Sequence, residues 1–347
     1  MTRVHQVAGA AGRHDAVTGQ LLAYGELLRR WGLEGGMHAA LVAPEAPAEI
    51  KPLSELAAEP DDLLLIHYSG WIAGMGPLLE LPQRKALVYH NITPAKYFWS
   101  VDPVVAVVCE RGREKLPTLV AASTVTAGVS SYNAAELRSA GAAKPRVVPV
   151  LADPARLAHD GAAASADGPL VLAVGRLAPH KRPDLVIRAF ALYQRLHAPD
   201  ARLLCAGAPQ NPPYLARLER LVAEVGATGV RLARTLDDAD LGRAYAAASV
   251  MLSLSEHEGF CVPLLEAFRA ELPVVARPCG AMPEVGGDAV LWVDDEDLSV
   301  VAELLHLAVT DSELRAELVR RERERAREFA PEHVAAAVRE LIDAALA

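Results

Sequence analysis

With 347 residues the chain exceeds what one hydrophobic core usually organises, so two domains of about 150 to 180 residues are expected. Hydrophobic residues make up 52% and charged residues 23%, with both signs interspersed, which excludes a chain too polar to bury a core. The net charge of −9 argues against sequence-independent nucleic-acid binding, and the first 150 residues hold 14 Lys+Arg and 14 Asp+Glu, so subtraction from 35 and 44 leaves 21 against 30 beyond them.

In chain order, a first short strand leads into the loop "AGAAGRHDAVTGQ", and residues 18–31, "TGQLLAYGELLRRW", follow as a helix. Its Leu21, Leu22, Leu28 and Trp31 lie on or near one face, and that face is assigned to the core rather than to a membrane surface. "DLLLIHY" (62–68), "ALVYHN" (86–91), "STVTAGVS" (123–130) and "RVVPV" (146–150) read as buried strands separated by helical segments. The small, polar "GAAASADGP" (161–169) is the best linker. Beyond it, "LVLAVG" (170–175), "RLLCAG" (202–207), "SVMLSLS" (249–255) and "PVVARP" (273–278) alternate with helical periods at 183–197 and 213–226.

This βαβα alternation, with strands apolar on both faces, predicts an α/β chain of parallel sheets covered on each side. The expected division is an N-terminal domain over 1–160, a second over 161–330, and a C-terminal helix over 331–347 placed back against the first. Residues 311–329 read as a solvated helix with charge pairs at i,i+4. Two doubly wound halves predict a ligand at the carboxyl ends of the strands.

Residues there with useful chemistry are Arg176 and Lys181 in "GRLAPHKRPD", which follows strand 170–175 and precedes a helix that can begin at Pro183. A fork donor and a point donor beside a helix start suit a diphosphate, although alone such residues are more often just solvated. A second strand-end loop, "SEHEGFCVPLLEAF" (255–268), carries Glu258 and Glu266 around Gly259, with Pro263 opening a helix. Two carboxylates at either end of a loop can accept hydrogen bonds from sugar hydroxyls. Together the two loops suggest a polyol attached to a diphosphate.

"GRLAPHK" followed by "SEHEGFCVPLLEAFRAELPVVA" resembles the donor half of the family 4 retaining glycosyltransferases, with their Glu-x7-Glu signature, in a bacterial branch. "IHYSGW", "YHNITP", "SSYNAAEL" and "VVPVLADP" are similar to segments of that family's first domain. The resemblance implies the GT-B fold, two Rossmann-like doubly wound domains facing each other across a cleft. It implies transfer of a sugar, with retained configuration, from a nucleoside diphosphate sugar to an acceptor hydroxyl. Arg176 and Lys181 would hold the diphosphate, Glu258 the transferred sugar, Glu266 the ribose, and the backbone of Gly259, Phe260 and Cys261 the sugar. His90, ending "ALVYH", would stand beside sugar and acceptor, and Gly12 would let the first loop approach the donor phosphates. Asp15 and His67 are assigned to the acceptor, with ordinary alternatives as a helix cap and a buried hydrogen-bonded histidine.

The family chemistry needs no cofactor, and with Arg176, Lys181 and helix N-termini carrying the charge no metal is required. "DAD" (238–240) and "DED" (295–297) are read as helix starts rather than metal ligands. The acceptor is left as a small molecule, glycan or lipid-linked hydroxyl. Four scattered cysteines without C-x-x-C pairing, no basic-apolar N-terminal segment and no uncharged run of about 20 residues lead to an expected cytoplasmic protein without membrane association. The alternatives are an epimerase or phosphorylase on the same fold, a non-catalytic binding or scaffold subunit, and a nicotinamide dehydrogenase. The last is disfavoured because no G-x-G-x-x-G follows strands 62–68 or 170–175.

Overall fold

The computed structural model describes residues 2–13, 15–152, 157, 168–234, 236–294 and 297–347, which form two compact units. The linker expected at 161–169 falls mostly outside the described residues.

The first unit comprises residues up to Lys96, Pro103–Leu151 and Phe329–Ala347. In chain order it contains β1 (Val4–Ala11), α1 (Ala16–Arg30), β2 (Glu34–Val42), β3 (Ile50–Pro52), β4 (Leu63–Tyr68), β5 (Arg84–Tyr89), α2 (Pro103–Ala122), β6 (Val125–Gly128), α3 (Ser131–Ser139) and β7 (Arg146–Val147). The strands pair in parallel in the order β3-β2-β1-β4-β5-β6-β7. All six residues of β4 are buried, the pattern of a strand covered on both faces.

The second unit comprises Tyr97–Asp102 and Ala152–Glu328. It contains β8 (Leu170–Val174), α4 (Pro183–Leu196), β9 (Arg202–Ala206), α5 (Pro212–Glu224), β10 (Val230–Ala233), α6 (Asp238–Ala247), β11 (Val250–Ser253), α7 (Val262–Arg269), β12 (Val274–Ala276), α8 (Met282–Gly286), β13 (Leu291–Trp292), α9 (Leu298–Thr310) and α10 (Ser312–Glu328). Its parallel sheet has the order β10-β9-β8-β11-β12-β13. The last helix, α11 (Pro331–Leu346), packs on β5 and β6 of the first unit.

Several expectations change. β1 runs on through Ala11, into residues read as loop, because Ala10 and Ala11 pair with Leu41 and Val42 of β2. Only residues 12–15 then separate β1 from α1. β2 was hidden by its glycines and by the half-exposed pattern of an "EGGMHAALV" segment. β7 is two exposed residues rather than a buried strand over 146–150, since Pro149 has no amide to donate to a ladder. On α1, Leu21 and Leu28 are buried but Leu22 is exposed, one step round the helix from the inward stripe. Residues 97–102 belong with the second unit: Phe98 meets the His180 ring edge-on at 5.6 Å, Asn211 Nδ2 donates to the Val101 carbonyl at 2.8 Å and Gln210 Nε2 to Asp102 Oδ2 at 2.9 Å. Helix α10 does carry surface pairs, Arg320–Glu324 and Arg321–Glu317, but it is not wholly solvated, for Leu318 and Glu322 are buried. No helix among the described residues is long and apolar enough to cross a membrane.

Candidate functional site

In each sheet the strand order reverses once, between β1 and β4 and between β8 and β11, and open α/β sheets bind ligands beyond the carboxyl ends of strands at such a reversal. In the second unit an open hollow of ≈ 340 Å³ lies there, lined among others by Gly175, Arg176, Lys181, Ser253 and Ser255. The loop after β8 makes a short turn, Pro179–Lys181, and then Arg182 in the left-handed region (φ 51°) redirects the chain into α4. That conformation is held by its guanidinium, which forks onto Asp184 at 3.0 and 2.9 Å and also reaches Glu256. Glu256 in turn donates its amide to the His180 carbonyl at 2.8 Å, tying the β8 and β11 loops together.

Lys181 Nζ donates to Glu258 Oε1 at 2.6 Å. Burial disfavours the ammonium, but the carboxylate alongside outweighs it and holds Lys181 above its ordinary value, so it is a fixed cation at neutral pH. Glu258 itself is buried, and its carbonyl accepts the Ala281 amide at 3.0 Å from the loop after β12. Arg176 is exposed and donates from Nη2 to Gln210 Oε1 at 2.9 Å. Glu266 is the fifth residue of α7, in its second turn, because Cys261, left-handed at φ 74°, occupies the cap. Its Oε2 accepts the Tyr245 hydroxyl at 2.7 Å, so the two glutamates have different partners. Phe260 and Cys261 are buried and Gly259 half-buried. Burial pushes the Cys261 thiol well up and Cys279 up to about 12, so neither is a thiolate nucleophile at neutral pH. Sequence reasoning did not single out His180, whose buried Nδ1 has no partner among the described residues, nor Gln210 and Tyr245, because their roles arise only from contacts made across the fold.

In the first unit His90 stands just beyond β5, its amide donating to the Tyr68 carbonyl at 2.8 Å. His67, on β4, is wholly buried behind it, with Nδ1 3.0 Å from His90 Nε2 and Nε2 3.0 Å from Gln6 Oε1. The acceptor contact expected of His67 thus gives way to a place behind His90. Asn91 (φ 76°) follows, and its Nδ2 donates to Asn133 Oδ1 at 2.7 Å and Glu136 Oε2 at 3.1 Å, fixing the strand end. Gly12 does not offer its amide outward: it donates to Thr18 Oγ1 at 3.1 Å. Asp15 is a helix cap, accepting the Thr18 amide at 2.8 Å and hydroxyl at 3.1 Å.

Asp238 and Asp240 lie in the first turn of α6, where Asp237 caps by accepting the Asp240 amide at 2.6 Å. Asp297 caps α9 by accepting the Ser299 amide at 2.9 Å, while Asp295 and Glu296 lie outside the described residues. Among the described residues no three His, Cys, Asp or Glu side chains form a metal-binding group.

Residues 158–325 match the family described as "Glycosyl transferases group 1". The D-inositol 3-phosphate glycosyltransferase of Acidothermus cellulolyticus is 35% identical over 162 residues, 44% of this chain and 36% of its own length. That of Nocardioides is 31% identical over 183 residues, 49% of this chain and 40% of its own. The chain thus spans well under two thirds of these relatives. Among solved structures, the Anabaena protein HepE in complex with UDP and glucose superposes with TM-score 0.76 at 14% identity, covering 98% of this chain and 99% of that one. Sucrose-phosphate synthase from Thermosynechococcus elongatus gives 0.75 at 20% identity, with 99% and 98% covered. The fold is GT-B.

Proposed function

We propose that the chain is a retaining glycosyltransferase that moves a sugar from a nucleoside diphosphate sugar to an acceptor hydroxyl without a metal ion. The observation that carries this reading is the Lys181–Glu258 pair, a cation and a carboxylate joined at 2.6 Å where the β8 and β11 loops meet beside the strand-order reversal. A diphosphate placed there meets Lys181 and the exposed Arg176, and the acid next to the lysine is available to sugar hydroxyls. In this reading Glu266 holds the ribose together with Tyr245, and the backbone of Gly259, Phe260 and Cys261 borders the sugar. Uridine diphosphate is the first nucleotide to test, since the similar Anabaena protein was solved with it.

The C1–O bond to the diphosphate breaks, the acceptor oxygen bonds to C1 on the face that is vacated, and the acceptor proton passes to a leaving phosphate oxygen. Developing negative charge falls on the diphosphate, where fixed cations that need no reorganisation are most effective. His90 is assigned to a hydroxyl of the ligand.

Thermal-shift screening against nucleoside diphosphates and their sugars, followed by product analysis, tests this. Lys181→Ala and Glu258→Ala should each lower turnover by at least about a hundredfold, as loss of a charge-stabilising group does, with far-ultraviolet circular dichroism unchanged. Turnover near the wild-type rate in either variant would remove the site assignment. Product formed from donor alone, or with inorganic phosphate, would replace transfer by epimerisation or phosphorolysis.

A further inference from the structure

The His90 ring ends a chain of hydrogen bonds whose direction is fixed at its far end. Gln6 Nε2 lies 2.9 Å from the Leu21 carbonyl oxygen and must donate to it, for a flipped amide would set oxygen against oxygen. Gln6 Oε1 then faces His67 Nε2 at 3.0 Å and can only accept, so His67 carries its proton on Nε2. Burial holds His67 well below its ordinary value and therefore neutral, which leaves Nδ1 bare. That nitrogen is 3.0 Å from His90 Nε2 and accepts from it. His90, which burial lowers to about 4, is also neutral at pH 7, and its Nδ1 keeps a lone pair. Among the described residues that nitrogen has no protein partner, and the residue is only half-buried. The Tyr24 ring meets His67 edge-on at 5.1 Å, and among the described residues its buried hydroxyl has no partner.

We propose that Gln6 and His67 are positioning residues that lock His90 in the tautomer protonated on Nε2, so that Nδ1 meets the ligand as a hydrogen-bond acceptor and selects a hydroxyl as its partner. The inference rests on the reading of His90 as a ligand contact. It adds a specificity: a substrate bearing fluorine or a methyl ether at that hydroxyl has no proton to give and is rejected.

The test uses the full chain with nitrogen-15-labelled histidine. Wild-type His90 should show a protonated Nε2 and an unprotonated Nδ1. Gln6→Glu should draw His67 into its doubly protonated form, whose Nδ1–H now donates to His90 and moves the His90 proton to Nδ1. His67→Gln, which still offers an acceptor oxygen, should keep the wild-type pattern, whereas His67→Leu should leave the two tautomers mixed, and this pair carries the test where Gln6→Glu does not fold. Turnover should fall about tenfold in Gln6→Glu and His67→Leu, the value of one hydrogen bond, with nucleoside diphosphate affinity unchanged by calorimetry. Identical His90 signals in wild type, Gln6→Glu and His67→Leu overturn the relay alone. Wild-type turnover in His90→Ala instead removes the ligand contact on which the inference rests, and the inference with it.

Discussion

The carboxyl group of Glu322 lies fully buried on α10, and among the described residues neither of its oxygens has a hydrogen-bond partner. Burial, only partly countered by Arg315, raises it to about 8. Between the ordinary glutamate value of about 4.3 and that figure the folded chain holds a proton that the unfolded chain has released, so stability falls as pH rises, by up to about 1.4 kcal/mol per unit. Glu322→Gln removes this slope. Thermal midpoints measured from pH 5 to pH 8 should diverge, with the variant gaining on the wild type at each step; parallel curves would mean that the site takes in water or a partner on ionising. The residue was invisible in the sequence because "VRRERERAREF" reads as a uniformly charged surface, and only the packing of α10 on α7 selects one glutamate to face inward. Lys181 and Glu258 were legible for the opposite reason: each sits in a short loop directly after an apolar strand, where local sequence already marks the strand end. Gln6 could not be found that way, nor the place of His67 behind His90, since the two meet only through the register that sets Gln6 opposite Leu65 and Ala8 opposite His67.

At the level of elements, the apolar strands β4, β5, β8, β9, β11 and β12 declare themselves by composition, because a strand buried on both faces has no polar positions to confuse its period. β2, β3, β10 and β13 sit nearer the sheet edges, are short or half-exposed, and carry no such signal, while β7 carries it over a longer run than the two exposed residues that pair. What composition does not convey is how tightly neighbouring loops must fit. The loop after β12 turns at Gly280 (φ +53°), and a Cβ built there would lie 2.2 Å from the Glu258 carbonyl oxygen, nearer than atoms can approach. Gly280→Ala must therefore displace the Glu258 backbone in addition to the left-handed strain of about 1 to 2 kcal/mol. Affinity for the nucleoside diphosphate sugar by calorimetry should drop about tenfold, the value of one hydrogen bond lost. Gly226→Ala provides the control, for Gly226 has a similar φ of +68° but open space around its missing side chain, and it should lower the thermal midpoint while leaving affinity for the nucleoside diphosphate sugar intact. Equal affinities in the two variants would show that the Glu258 loop does not depend on this close approach.

For the whole molecule the decisive fact is that the chain leaves the first unit at Leu151 and re-enters it at Phe329. That unit is covalently discontinuous, and its sheet lacks part of its cover until α11 docks on β5 and β6. Helix α11 buries Val334, Val338, Leu341, Ile342 and Ala345, its Arg339 guanidinium lies 5.6 Å over the Trp31 ring, and the Leu346 carbonyl accepts from Arg84. At about 1.5 to 3 kcal/mol for each of the four large aliphatic side chains, this docking is worth about 6 to 12 kcal/mol, as much as the entire net stability of a typical domain. The second unit takes only the short segment Tyr97–Asp102 from outside Ala152–Glu328, and its six strands and the helices between them lie within 170–328. Removing residues 331–347 should therefore unfold the first unit selectively. Limited proteolysis with mass spectrometry is expected to cut throughout residues 2–151 of the shortened chain while 168–328 stays protected, the more so with a nucleoside diphosphate present, because a ligand that binds only the folded form stabilises it by mass action. Survival of 2–151 at the full-length rate would mean that β5 and β6 need no cover from α11, and that the apolar face of this helix contributes far less than its burial implies.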